Sequence, residues 1–205
     1  MKEDTLPHMR GKEGEEMLRR VLADRCGWVY ASAAPLYLPT ADKNWAEIDA
    51  LCIHPTGLYV FENKYMAGSV SGRMRDRLWM RTGDTVLSFP NPVLQNRKHL
   101  LTAAEFFGVA PKYAVSIVVF NDGCDISRVE QDTRECILVK LSDVSAALRP
   151  MFARPSVFSA SEMAEFCQKA RRAESSGAKA AEEHRASIRE GKQRRRSEKK
   201  RGRMN

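Results

Sequence analysis

The sequence has no apolar run long enough to cross a bilayer. Its longest, Tyr113 to Phe120, is eight residues, against the roughly 20 that a helical span needs. The amino terminus, MKEDTLPHMRGKEGEE, also lacks the hydrophobic core of a signal peptide. Both absences imply a cytoplasmic protein with no membrane span. Cysteine is sparse: Cys26, Cys52, Cys124, Cys136 and Cys167 are scattered, odd in number and form no C-x-x-C. That excludes a disulfide framework and a zinc site and leaves buried free thiols. No internal repeat is evident. From Ala170 onward Ile188 and Met204 are the only apolar residues larger than alanine. Such a segment cannot bury enough surface to fold alone and is expected to be disordered or a lone charged helix.

What is present is enough for one domain with a core, since 43% of the 205 residues are hydrophobic. The net charge of +8 is unevenly placed. Residues 169–205 hold 14 Lys and Arg against 5 Asp and Glu, a net of +9, which leaves 20 against 21, a net of −1, for residues 1–168. The expected organisation is a disordered stretch over 1–10, a folded domain over 11–168 and a basic tail over 169–205.

The most informative stretch is EIDALCIHPTGLYVFENK, Glu47 to Lys64. It reads as strands Glu47 to Ile53 and Leu58 to Lys64 joined by a His-Pro-Thr-Gly turn. Symmetric pairing sets Ile53 opposite Leu58, Leu51 opposite Val60, Asp49 opposite Glu62 and Glu47 opposite Lys64. Both faces carry apolar residues, so the hairpin is expected to be central and covered on both sides. Facing carboxylates have Cβ atoms roughly 4.5–5.5 Å apart and must share a proton or a cation. A hard divalent ion, Mg²⁺ or Mn²⁺, resolves the conflict. Lys64, on the same face, would orient an attacking water or neutralise charge developing on phosphate.

Around this hairpin the periodicities assign further roles. Leu18, Val21, Leu22 and Cys26 mark a helix from Gly11 to Cys26 ended by Gly27, preceding a strand from Trp28 to Ala33 and a loop from Pro35 to Trp45. Glu15 shares the inward face of that helix with Leu18 and Leu22, whereas Glu16 is rotated about 100° away. An inward acid needs a cation, which makes Glu15 a candidate third carboxylate. Gly68 and Gly72 suggest a flexible border after Lys64. Arg73, Arg75, Arg77, Trp79 and Arg81 share one parity, so a strand here would offer a basic ridge with one aromatic to a nucleic-acid backbone. Asn91-Pro92 starts a helix that runs to Phe107 and stops at Gly108. Asn91, Gln95 and His99 recur every four residues along it, and a lone helical histidine of this kind is read as structural or exposed. Tyr113 to Phe120 and Cys136 to Leu141 read as strands flanking a polar loop, Asn121 to Asp132. Ser142 opens a short helix, and Ser159-x-x-Glu162 is a capping box that opens the last ordered one.

The spacing Asp-x12-Glu-x-Lys resembles the core of the PD-(D/E)xK nuclease superfamily. The ordered words GKEGEE, EID, GLYVFENKYMAGSVSG, Trp79, and NPVLQN followed by His99 resemble the NERD, or nuclease-related, domain over about Gly11 to Phe107. Ala50 stands where relatives often carry a polar residue, commonly histidine, and Asn63 where Thr or Val is usual. The resemblance also places an acid at Glu15 and brings Gln95 near the carboxylates, on a metal-bound water or phosphate.

Taken together, the expectation is an α/β fold: a PD-(D/E)xK nuclease-like mixed sheet flanked by helices, with a disordered or helical basic tail. The expected activity is metal-dependent phosphodiester hydrolysis of DNA. Asp49, Glu62 and the Asn63 carbonyl would hold Mg²⁺ or Mn²⁺, with Glu15 completing the acidic cluster and Lys64 and Gln95 serving the water and phosphate. The arginine ridge and the tail residues Arg194, Arg195, Arg196, Lys199, Lys200 and Arg201 would hold the polyanion. The alternatives are a nuclease fold that docks nucleic acid without cutting, and a scaffold whose tail binds anionic membrane or an acidic protein. No residue pattern specifies an oligomeric state.

Overall fold

The computed structural model describes residues 5–23, 28–130, 132 and 134–201, with side chains described within 11–191 of these. In chain order the strands are β1 (Tyr30–Ala31), β2 (Leu36–Pro39), β3 (Trp45–Ile48), β4 (Ala50–His54), β5 (Gly57–Lys64), β6 (Gly68–Gly72), β7 (Leu78–Thr82), β8 (Val86–Pro90), β9 (Ala114–Phe120), β10 (Cys124–Val129) and β11 (Ile137–Lys140). The helices are α1 (Thr5–Ala23), α2 (Pro92–Phe107), α3 (Val144–Phe152), α4 (Ala160–Ser175) and α5 (Gly177–Arg201).

The fold is mixed α/β. A five-stranded sheet in the order β1-β4-β5-β9-β11 has the β4–β5 hairpin near its centre. β4 is antiparallel to β5, with Ile53 opposite Leu58 and Leu51 opposite Val60 as the sequence predicts. β9 adds parallel to β5, and β11 parallel to β9. One face of the hairpin, with Leu51, Ile53, Leu58 and Val60, packs with Phe107 of α2 and Phe166 of α4. The other, with Ala50, Cys52, Tyr59 and Phe61, packs with Leu18 and Leu22 of α1 and Leu148 of α3. Two-sided burial accounts for apolar residues at both parities.

The register expectation fails beyond Ala50. β3 does not extend the hairpin; it pairs with β2, so Glu47 faces Tyr37 and not Lys64. The segment expected to be a loop, Pro35 to Trp45, therefore contains β2, whose Leu36 and Leu38 alternate into the core at 0% exposure. Asp49 sits at the break where the chain leaves β2 and joins β5.

A second sheet, β10-β6-β7-β8, overturns two further expectations. The stretch with Gly68 and Gly72 is a strand and not a flexible border. Its glycines serve close approach: a Cβ on Gly72 would lie 2.3 Å from Trp79 Cδ1. The expected loop Asn121 to Asp132 contains β10, parallel to β6.

The terminal helices also differ. α1 begins at Thr5, ahead of the expected Gly11, while its expected end at Cys26-Gly27 lies outside the described residues. α2 follows its punctuation: Asn91 caps it, Pro92 opens it and Gly108 closes it at φ 73°. α3 contains Pro150 in its last turn. α4 opens on the Ser159–Glu162 capping box and continues past the expected boundary at 168, with Ala170 and Ala173 buried. α5 is not a lone helix, because its first half docks on the β2–β3 hairpin. Trp45 donates to Glu183 at 2.8 Å, Ser187 donates to Asn44 at 3.0 Å, and Ala180 is buried. Small side chains such as Ala180 pack there, so the lack of apolar residues larger than alanine does not keep this segment from docking. Cys52, Cys124, Cys136 and Cys167 are buried free thiols, and Cys26 lies outside the described residues. Among the described residues, no helix is long and apolar enough to cross a membrane.

Candidate active site

The site forms where the carboxyl end of β5 meets the chain break at Asp49. Without a strand partner of its own, Asp49 turns its carboxylate onto β5 and accepts the Asn63 N–H at 2.7 Å. Arg19 of α1 donates to the Asp49 carbonyl at 3.1 Å, tying helix and break together. Gly14 lets α1 approach this closely, since a Cβ there would lie 2.6 Å from both Asn63 Nδ2 and Tyr65 Cβ.

Glu62 is 1% exposed. Lys64 Nζ donates to its Oε1 and also to Gln95 Oε1, the latter at 3.1 Å. On the other side His99 Nδ1 stands 3.2 Å from Glu62 Oε2. That contact is at the edge of hydrogen-bond geometry, and neither buried atom has another partner. Helical phase thus delivers Gln95 and His99 together, one turn apart on α2, to the Glu62–Lys64 pair. His99 is the residue that sequence reasoning set aside. Its signals are the four-residue spacing from Gln95 and its place after NPVLQN in the resemblance, and both acquire meaning once Glu62 is opposite. Asn91 leaves this line: its amide donates to the carbonyls of Met74 and Asp76 at 2.9 and 2.7 Å and so holds the turn before β7.

Glu15 lies on the inward face of α1, with its side chain 21% exposed and 3.6 Å from Arg19, while Glu16 is 60% exposed and pairs with Arg20. The electrostatics separate the acids. Burial pushes the Asp49 carboxyl well above its ordinary range, and the nearby Glu62 charge raises it further against the Asn63 N–H. Burial also acts to raise Glu62, but His99 and Lys64 outweigh it and hold Glu62 below its ordinary range. Glu15 is raised, by burial first, then by Glu47 and Glu62, against the opposing pull of Arg19.

The donor set fits a divalent ion of the magnesium type. Among the described residues no three His, Cys, Asp or Glu side chains form a ready-made cage. Mg²⁺ does not require one, because it is held by one or two carboxylates plus water and phosphate oxygens. Asp49, raised by the nearby Glu62 charge, and Glu62, whose Oε2 has no other partner than the His99 contact, are carboxylates of the kind such an ion takes. Asn63 lies in the β5–β9 ladder opposite Val119.

The arginine ridge is not assembled. β7 starts at Leu78, and Trp79 points inward at 0% exposure, its indole N–H donating to the Arg73 carbonyl at 2.8 Å. The bulk of the indole sets the parity of the strand, so Arg81 follows it to a half-buried position. Arg73, Arg75 and Arg77 fall in the exposed turn before the strand, where Arg73 faces Glu130 at 3.7 Å and Arg75 faces Glu135 at 3.6 Å. The side chains of Arg194, Arg195, Arg196, Lys199, Lys200 and Arg201 lie outside the described ones.

Compared with known proteins, residues 10–121 match the family described as the nuclease-related domain, NERD. An uncharacterized protein of Bacillus anthracis is 26% identical over 144 residues, which is 70% of this chain and 68% of that protein.

Proposed function

Because the chain belongs to the nuclease-related domain family, we propose that it hydrolyses phosphodiester bonds of DNA with the help of a divalent metal. The observation that carries this reading is the Glu62–Lys64–Gln95 cluster beside Asp49, in which the buried Glu62 Oε2 has no partner beyond the marginal His99 contact. Asp49 and Glu62 would hold Mg²⁺ or Mn²⁺, with the Asn63 carbonyl in support. Bound there, the ion supplies Lewis-acid polarisation of a phosphoryl oxygen and an acidified water.

The chain's own residues supply positioning and charge. Lys64, fixed between Glu62 and Gln95, presents an ammonium whose remaining proton faces the reacting phosphate and offsets its developing charge. Gln95 fixes that ammonium and uses its amide N–H to hold water or a phosphate oxygen. His99 keeps Glu62 ionised, and Glu15 adds to the negative field that draws a cation in. Burial around Glu62 lowers the local dielectric and strengthens each of these effects. The basic carboxyl terminus would add affinity for the polyanion.

Incubating the purified full-length chain with labelled DNA and RNA of several structures, in Mg²⁺, Mn²⁺ or EDTA, tests the reading. Products from DNA with either ion and none in EDTA are expected. Retention of intact DNA under every condition would favour a domain that docks nucleic acid without cutting it.

A further inference from the structure

Helix α2 separates two surfaces. Gln95 and His99 face the acidic cluster, whereas Arg97, about 200° around the helix from Gln95, lines a groove of about 1010 Å³ with Leu94 and Leu101 on the opposite side. Val93, Leu100, Ile137 and Met151 add apolar side chains to its lining. Two of its polar side chains are already engaged: Ser116 Oγ accepts from Asn96 Nδ2 at 2.9 Å and donates to Cys136 Sγ at 3.3 Å. With these two side chains engaged, the charged side chains of the lining carry most of what a ligand could recognise.

The rim is cationic. Arg75, Arg97, Lys112, Arg134 and Arg154 line the groove against the single carboxylate of Glu135, five positive charges to one negative, a net of +4. Residues 1–168 carry a net of −1, so this concentration is not a consequence of composition. Arg75 leans on Glu135 at 3.6 Å and Arg134 on Asp132 at 2.9 Å, while Arg97 and Arg154 make no ion pair among the described residues.

We propose that this groove holds the phosphate backbone of a nucleic-acid strand, as a binding surface separate from the acidic cluster and across α2 from it. It rests on the nucleic-acid-directed reading above and names the part of the folded domain that grips the substrate, a role the unassembled arginine ridge does not fill. Four of the five cations are guanidinium groups, whose forks match phosphate oxygens. They come from five separate segments: the turn before β7, α2, the turn before β9, the turn before β11 and the turn after α3. A small anion would engage one or two of them, whereas a polymer with a phosphate at every residue gains from all. The apolar side chains of the lining give unstacked bases a surface away from water.

The test is fluorescence anisotropy of labelled single- and double-stranded DNA with the full-length chain in EDTA, so that affinity is read with no cleavage required. The double variant Arg97→Glu/Arg154→Glu should bind about tenfold or more weakly. Its slope of log K against log salt should be shallower by about 2, since each phosphate that is no longer neutralised on duplex DNA removes about 0.9. The variant Arg171→Glu/Arg172→Glu makes the same charge change on exposed α4 residues outside this groove and should weaken binding by less than about threefold through net charge alone. Lys112→Glu provides a second groove variant, and thermal unfolding verifies that each variant is folded. Equal effects of the two doubles would overturn the proposal. So would polyglutamate that competes with DNA at equal charge, since the groove would then be an acidic-protein site. Because binding is measured apart from chemistry, a chain that binds through the groove but never cuts would sink the nuclease reading and leave the groove standing.

Discussion

The Asp49 carboxylate accepts the backbone N–H of Asn63 at 2.7 Å, which joins the residue that breaks one strand to the strand that carries Glu62 and Lys64. An acid at a break in pairing can turn toward its neighbour instead of alternating away, and this places it beside Glu62 without the two being ladder partners. Asp49→Asn keeps an oxygen for the Asn63 N–H, and Glu62→Gln keeps the side-chain volume. Each variant is expected to remain folded, to lose metal-dependent cleavage and to bind Mn²⁺ more weakly by calorimetry. Unchanged Mn²⁺ affinity in both would remove these residues from the metal site.

The two neighbouring acids of α1 should behave differently. Glu15 faces inward beside Arg19, whereas Glu16 is exposed and paired with Arg20. Glu15→Gln should lower cleavage about 10- to 100-fold, the range of residues that support a metal site. Glu16→Gln should change it by less than about twofold, as expected when an exposed pair is removed. Single-turnover cleavage rates distinguish the two, and a reversed order would contradict the placement of Glu15.

Stability in the absence of metal should depend on pH in a defined direction. The folded state raises the Asp49 pKa, so it binds that proton more tightly than the unfolded chain does. The stabilisation is complete below the ordinary carboxylate range and is lost as pH rises through the raised value. Asp49→Asn removes that dependence, so in EDTA the melting temperature of the variant should gain on the wild type as pH rises. Added Mg²⁺ should close the gap by stabilising the wild type alone. A gap that stays constant with pH would mean that the Asp49 pKa is not raised.

Asn96 is fully buried on α2, and the two N–H bonds of its amide are shared among the Val60 carbonyl, Ser116 Oγ and the Ile117 carbonyl, which lie 2.9–3.1 Å from Nδ2. It joins α2 to the seam between β5 and β9. Asn96→Ala leaves those acceptors without this partner and should cost about 1–3 kcal/mol, read from urea denaturation. A smaller loss would indicate that water replaces the amide.

Much of the fold can be read from local chemistry, and the exceptions share a cause. The Asn-Pro start and Gly stop of α2, the capping box of α4, the phase of Glu15 and the pairings Leu51–Val60 and Ile53–Leu58 depend on nearby residues alone. The switch at Asp49 does not. Trp45 to Ile53 is strand-like throughout, and nothing local says that its first half pairs with β2 and its second with β5. The arginine pattern misleads for a similar reason, since parity alone does not say which face is buried. Here Trp79 goes inward, and Asp76 closes a turn by accepting the Arg73 N–H at 2.9 Å. His99 gains its partner only through tertiary packing of α2 on β5.

Docking of the first half of α5 also fixes where the basic segment can be removed. A cut at residue 170 would expose the site of buried Ala173 and Ala180, whereas a cut after Gly191 spares the hydrogen bonds made by Glu183 and Ser187. Residues 192–205 hold 8 Lys and Arg against 1 Glu, a net of +7. Their removal should leave the fold intact, weaken DNA binding and flatten its salt dependence, with cleavage at saturating DNA preserved. An unchanged salt slope would mean that the segment serves another partner.

The central claim is most directly tested by comparing DNA cleavage by the wild type and Glu62→Gln, in Mg²⁺ and at equal occupancy of labelled DNA. Metal-dependent products from the wild type, and none from a folded Glu62→Gln that still binds DNA, are the predicted result. Equal cleavage by both proteins would contradict the account, as would its absence from a folded, metal-loaded wild type.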